Sequence, residues 1–293
     1  MEFVVNWLAA TPGHATPLLL AALGLILNER AGVLNLGAEG MMLCGAMAGA
    51  IAALGGGGAW AGLAAAAGGG MLLALAFGVA VVVFRTEQVV TGLIMVALGA
   101  GLTGLIGRDF TNQTLPGLPA LALRQDAMVW LTLALTAALW WWFARSRAGL
   151  RLTAVGEDPA AADAMGIGVQ GTRLAAILGG GALCGLAGGY LAIVSSQVWT
   201  EGMTQGRGWI AVGLVIFARW RPPLALAGAL LFGAIEAAIP RMQAVGGDVP
   251  VYLMTMLPYL ATLAVLVLAG LRRRRSDEPA ALGRPYLRQD RHD

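Results

Sequence analysis

The sequence predicts an all-α integral membrane protein, a bundle of about nine transmembrane helices with about eight to ten as the range. Three observations predict it. Of 293 residues, 58% are hydrophobic and only 12% charged, against roughly 25% charged in an average soluble domain. The apolar residues gather in blocks long enough to cross a hydrocarbon layer about 30 Å thick, for which a helix needs about 20 residues. The basic residues, nineteen in all and every one an arginine, collect mostly in the intervals between blocks.

The chain opens on Met1–Ala10, where Phe3, Val4, Val5, Trp7 and Leu8 suit a helix lying in the membrane interface. This segment lacks the basic start of a cleavable signal peptide. Apolar blocks follow at 14–27, 36–54, 60–84, 89–107, 127–144, 173–195, 208–218, 223–239 and 250–270. Two of them, 14–27 and 208–218, are short enough to be half-length or tilted. Cys44 and Cys184 fall inside blocks, where a thiol acts as a small hydrophobe and a disulfide framework is not expected. His14 and His292 are too few and too far apart for a metal cluster and are expected as unpartnered surface residues. Glycine runs would loosen a soluble protein; in lipid they let helix backbones approach, as the spacing Gly181, Gly185, Gly189 suggests. Trp140, Trp141 and Trp142 beside Arg145 are expected in the aromatic belt.

Arginine counting orients the bundle, because cytoplasmic loops carry an excess of basic residues. With Arg272–Arg275 inside, alternating spans put Arg219, Arg221, Arg145, Arg147, Arg151, Arg173, Arg85 and Arg30 on that side. Arg108, Arg124, Arg207 and Arg241 then fall outside, as does the N-terminus. The expected organisation is a membrane domain over 1–275 with a cytoplasmic loop at 145–172, followed by a disordered cytoplasmic tail over 276–293. Its basic start anchors the last helix at the headgroups, with lipid binding as the alternative.

The absence of lysine excludes a chemistry. A phosphate-binding P-loop needs a lysine reaching the nucleotide phosphates, and a Schiff base needs a lysine amine. If ATP powers the protein, ATP and Mg must sit on another subunit, and no cofactor is expected in this chain. A membrane enzyme would need a cluster of nucleophile, base or metal ligands, and the scattered carboxylates supply none. No nucleic-acid partner is expected.

The loop 145–172 is the longest internal hydrophilic stretch. Asp158 suits an N-cap, Pro159 the first helical turn and Gly166 a left-handed terminus, so a short helix Pro159–Met165 is expected. A helix this short is marginal alone and needs a partner surface. That surface is either its own membrane domain or a cytoplasmic motor.

A resemblance bears on this choice. Glu29-Arg-Ala-Gly-Val-Leu-Asn-Leu-Gly-Ala-Glu-Gly-Met-Met42, then Ala154-Val-Gly-Glu-Asp-Pro-Ala-Ala-Ala with Met165-Gly-Ile167, then Gly206-Arg-Gly-Trp-Ile-Ala211 resemble permease subunits of ATP-binding cassette (ABC) importers. The branch is the ribose and branched-chain amino acid permease superfamily, and the first and third motifs are similar to its nucleoside and simple-sugar group. The likeness runs in order from about residue 12 to 270. It implies a type II importer fold in the bacterial cytoplasmic (inner) membrane. It also implies a second permease subunit, identical or different, ATPase subunits below, and a periplasmic or lipoprotein solute-binding protein above. By the same resemblance Gly156, Glu157, Asp158, Pro159, Ala161, Met165 and Gly166 belong to the helix that couples to the ATPase. The chain departs from longer relatives in lacking their first transmembrane helix, which agrees with an external N-terminus.

Polar residues at membrane depth are costly and are therefore functional candidates. Asn35 and Glu39 enter the second block among Gly32, Gly37 and Gly40, where a broken helix could serve a substrate cavity. The alternative is a tight turn in which Glu29 or Glu39 pairs with Arg30. Gln88 could line an inner gate, while Glu87 more simply pairs with Arg85. Gln205 and Trp209 offer the hydrogen bonds and flat apolar face that a nucleobase or sugar requires, or Trp199 and Trp209 belong to the aromatic belt. Glu236 most simply neutralises Arg241. The competing function is an ion-coupled secondary transporter with Glu39 or Glu236 as the ion site; its expected similar halves reduce to a short echo, Leu43-Cys-Gly45 against Leu183-Cys-Gly185.

Overall fold

A computed structural model describes residues 2–244 and 277–286, together with a few positions between 256 and 267. The expected last block, 250–270, lies outside the continuously described residues. Among the described residues the chain is all-helical, with β pairing confined to two isolated bridges, Thr114 with Val198 and Ala120 with Asp126.

The helices are α1 (Glu2–Glu29), α2 (Ala38–Ala52), α3 (Gly58–Gly78), α4 (Gln88–Ile106), α5 (Ala127–Arg145), α6 (Arg147–Glu157), α7 (Pro159–Ala164), α8 (Val169–Tyr190), α9 (Arg207–Phe217) and α10 (Pro222–Ala244). Among the described residues, six stretches are long and apolar enough to cross a membrane. One of them, Ala38–Val83, has 46 residues and would measure about 69 Å if straight, more than twice the hydrocarbon thickness. It turns back at Gly56 (φ +90°) and Gly58 (φ +72°), so α2 and α3 cross separately. The chain is a multi-pass membrane protein, with α9 as an additional half-length apolar helix.

The N-terminus corrects the expectation of a separate interfacial helix. Residues 2–10 and the block 14–27 run together in α1, a continuous helix of 28 residues that contains Pro12 and Pro17. Thr-Pro-Gly at 11–13 looks like a break only locally. Membrane helices tolerate proline where neighbours and hydroxyls satisfy the backbone. Here Thr11 and Thr16 donate to the carbonyls of Trp7 and Pro12 at 3.0 and 2.8 Å, and Trp7 Nε1 donates to Ala234 O of α10 at 2.7 Å.

The core forms where α8 packs against α1, α2 and α3. Its glycines make this possible. A Cβ on Gly188 would run into the Met42 carbonyl, and one on Gly185 into the Ala66 carbonyl and Gly70. Close backbone approach maximises dispersion contacts where lipid supplies no hydrophobic drive. Gly45 packs directly on Gly185, so the two members of the sequence echo meet as a helix crossing.

The two ends of the bundle sort the arginines. At one end Arg30 Nε donates to Trp220 O, Gly32 lies against Arg173 and Gly156, and Arg219 and Arg221 share Asp277. The other end gathers Arg124 and Arg241, both bonded to Asn6. Arg30, Arg173, Arg219 and Arg221 thus lie at one end and Arg124 and Arg241 at the other, the grouping of these six that arginine counting expects.

Residues 277–286, expected within a disordered tail, carry specific contacts. Asp277 Oδ2 lies 3.0 and 3.2 Å from the Arg219 and Arg221 guanidinium groups. Ala281 N donates to Gly156 O at 2.9 Å, and Arg173 Nη1 donates to Arg284 O at 3.0 Å. The segment's polar composition suits disorder in isolation; the basic end of the bundle supplies the partners that composition cannot reveal.

Candidate functional site

Two regions carry the polar chemistry, one inside the bundle, level with the middle of α4, and one at the basic end. The first is built where α2 and α9 begin inside the bundle rather than at its surface. Gly40, near the start of α2, packs against Met95 and Gly99 in the middle of α4. The preceding segment 30–37 is largely non-helical. Its amides therefore need partners inside the protein, since unsatisfied backbone in lipid costs several kcal/mol.

Asn35 and Gln88 are among those partners. Gln88 Oε1 accepts from Leu34 N at 2.7 Å, and Asn35 Oδ1 accepts from Gly37 N at 2.9 Å. Both side chains are buried. Glu39 does the equivalent for α9. Its carboxylate accepts from Thr204 Oγ1 at 2.5 Å, Gly206 N at 2.8 Å and Gly208 N at 2.7 Å. Two orphan amides at the start of α9 are satisfied, and a negative charge sits at the positive end of that helix dipole.

Gln205 and Trp209 occupy a different situation. Gln205 is exposed in a left-handed conformation (φ +48°), and Trp209 is 38% exposed. Nearby Glu201 lies against Gly104 of α4. Of the five sequence candidates, three are thus enclosed and bonded to backbone, while Gln205 and Trp209 are exposed.

The expected local ion pairs give way to other arrangements. Arg30 stacks over Phe143 at 4.8 Å, and Glu29 Oε2 accepts from Trp220 Nε1 at 2.5 Å. Glu29 and Arg30 both engage Trp220, from opposite atoms. Glu87 caps α4, accepting from Val89 N and Val90 N; these bonds hold its carboxyl below the usual range. Glu236 lies 3.3 Å from Arg207 and 3.9 Å from His14. Arg241 instead donates to the carbonyls of Ala237 and Asn6. Five residues along a helix turn the side chain about 140° away, which takes Arg241 off the Glu236 face. The cluster of His14, Arg207 and Glu236 was not expected, although a carboxylate inside an apolar helix is the signal that could have prompted it.

The second region is α7 with its supports. Asp158 caps it through Ala161 N at 2.9 Å, Pro159 opens it, and Gly166 (φ +81°) follows it. Ala162 packs inward with Val155 and Val169. Ala160, Ala161, Ala164 and Met165 face outward, Met165 being 83% exposed. Before it runs α6, which was not expected as a helix, capped by Ser146 on Gly149 N at 2.9 Å. Gly156 at its end touches the Arg30 carbonyl and receives Ala281 N. The exposed helix is therefore held by α6, the α1 terminus and the segment 277–286.

A family model for the permease component of branched-chain amino acid transport systems matches residues 8–269. The chain belongs to this family. The permease TsgC13 of Haloferax volcanii, provisionally assigned to glucose, is 38% identical over 99% of both chains. The guanosine ABC transporter permease NupQ of Bacillus subtilis is 35% identical over 96% of each. The nucleoside ABC transporter permease NupC of Lactococcus lactis is 28% identical over 87% of this chain and 89% of its own. The protein is a transmembrane permease subunit of an ABC transporter, not an enzyme.

Proposed function

We propose that this permease imports a nucleoside or simple sugar across a bacterial cytoplasmic membrane in a type II importer arrangement. It works with a second permease subunit, ATPase subunits and a solute-binding protein. The relatives named for guanosine, nucleosides and glucose support the solute class. By the excess of basic residues on cytoplasmic surfaces, the arginine-rich end is read as the cytoplasmic one, and the C-terminus with it.

One observation carries the coupling role. A capped, six-residue helix presents Ala160, Ala161, Ala164 and Met165 away from the bundle at the arginine-rich end. Small side chains around one long flexible methionine suit insertion into a groove. Motion of an ATPase applied to α7 reaches α1 through Gly156 and Arg30, and reaches α8 through Ala162 and Val169. The solute passes along the side of the chain where Gln205 and Trp209 are open, while Asn35, Glu39 and Gln88 hold the interrupted helices that frame it.

The test is co-purification. The full chain expressed with its ATPase should retain it, and Met165→Asp should release it while the permease stays folded. Undiminished retention by Met165→Asp and by Ala161→Asp would contradict the role of α7.

A further inference from the structure

A lateral groove of about 810 Å³ opens between α5, α6 and α8 at the arginine-rich end, on the side of α6 where α5 lies. Its volume lies within the range of small-molecule pockets, about 300–1,000 Å³. Leu135, Trp141, Ala175 and Gly171 line it, and Arg151 of α6 stands at its rim. From Leu135 to Arg145, α5 climbs ten residues, about 15 Å. The groove therefore runs from the headgroup level, marked by Trp141 and the arginines, well into the acyl-chain zone.

Two features show that the groove is open and charged by construction. A Cβ on Gly171 or on neighbouring Gly168 would meet nothing within 4 Å. Elsewhere in α8 glycines are pressed against other helices; here they leave room. Arg151 in the lining is exposed, as are Arg145 and Arg147 nearby in sequence but outside the lining, and no ion pair among the described residues involves any of the three. Within the groove the lining is overwhelmingly aliphatic and aromatic, so its occupant must be apolar along its length and anionic at one end.

The geometry points to a site for an anionic diacyl phospholipid, with the phosphate group on Arg151 and an acyl chain lying in the groove along α5 and α8. Basic pockets between helices at the cytoplasmic side hold lipid headgroups of this charge. The lipid would wedge α6 at its correct angle and so support α7, which follows α6 directly.

The test uses the full-length chain purified from membranes in a mild detergent, with bound phospholipid identified by mass spectrometry. The parent should retain phosphatidylglycerol in preference to phosphatidylcholine. Arg151→Gln should lower retained phosphatidylglycerol about fivefold, the effect of one basic residue near an anionic lipid, and Arg151→Lys should restore most of it. Gly171→Leu, which places a side chain in the open groove, should displace the lipid with the charge still present. Thermal unfolding of the parent should shift upward when phosphatidylglycerol is added back, and the shift should vanish in Gly171→Leu. Equal phosphatidylglycerol in parent, Arg151→Gln and Gly171→Leu would overturn the site, as would equal retention of the neutral lipid. Efficient cross-linking of Gly171→Cys in native membranes to a second copy or to residues 245–275 would also overturn it, by showing that protein covers the groove.

Discussion

Glu39 and Gly208 fit together as a pair: Gly208 N donates to the Glu39 carboxylate at 2.7 Å, and a Cβ on Gly208 would come within 2.6 Å of Glu39 Cα. The contact joins the starts of two helices that begin inside the bundle. It makes two separate demands, one for a carboxylate and one for a glycine.

The first demand is for charge. Glu39→Gln keeps the shape and one acceptor oxygen, but its NH2 group must face either Gly208 N or the pair Thr204 Oγ1 and Gly206 N, which are donors themselves. Removing a charged hydrogen-bond acceptor costs about 2 kcal/mol, so the variant should unfold at lower temperature or denaturant than the parent. An unchanged unfolding midpoint would show that the Glu39 bonds are not holding α9.

For the second demand, a pair of glycine variants gives opposite signs. Gly208→Ala should destabilise by about 1–3 kcal/mol through overpacking against Glu39. Gly101→Ala, where a Cβ meets nothing within 4 Å, should be neutral or gain about 0.5–1 kcal/mol from reduced backbone entropy. Equal behaviour of the two in thermal unfolding would count against the close approach of α2 and α9.

At Glu236 the partners can be separated by double-mutant cycles. Glu236→Gln combined with Arg207→Gln should show a coupling of about 0.5 kcal/mol or more, as for residues in one ion-pair network. The cycle of Glu236→Gln with Arg241→Gln should show about none. Reversed magnitudes would restore the simpler pairing along α10.

Ala281→Pro removes the N–H that donates to Gly156 O without touching the exposed face of α7. Losing one hydrogen bond, about 1 kcal/mol, should raise amide exchange in α6 and α7 about fivefold and weaken coupling of ATP hydrolysis to transport. Unaltered exchange would mean that 277–286 merely rests on the surface.

What the sequence reveals depends on the range of the interaction. The cap of α7 was legible residue by residue because Asp158, Pro159 and Gly166 act within a few positions of one another. The packing role of Gly181 and Gly185 was legible because helix periodicity is local. Glu39 was visible as an expensive intramembrane charge, but its donors lie 165 to 169 residues away, and no periodic pattern reports a contact of that range. The same holds for Asp277 with Arg219 and Arg221, which brings order to a segment whose composition alone suits disorder. Thr-Pro-Gly in α1 shows the converse: a strong local breaker overruled by hydroxyls and a neighbouring helix.

The central claim is that this chain is the passive half of a motor-driven pathway, moved through α7. Its most direct test is uptake of labelled guanosine and glucose into vesicles carrying the chain with its ATPase, permease and solute-binding partners. Uptake of one of these solutes should require ATP on the ATPase side, survive an uncoupler, and stop in Met165→Asp. Uptake that persists without nucleotide and collapses with the uncoupler would instead make the protein an ion-coupled transporter.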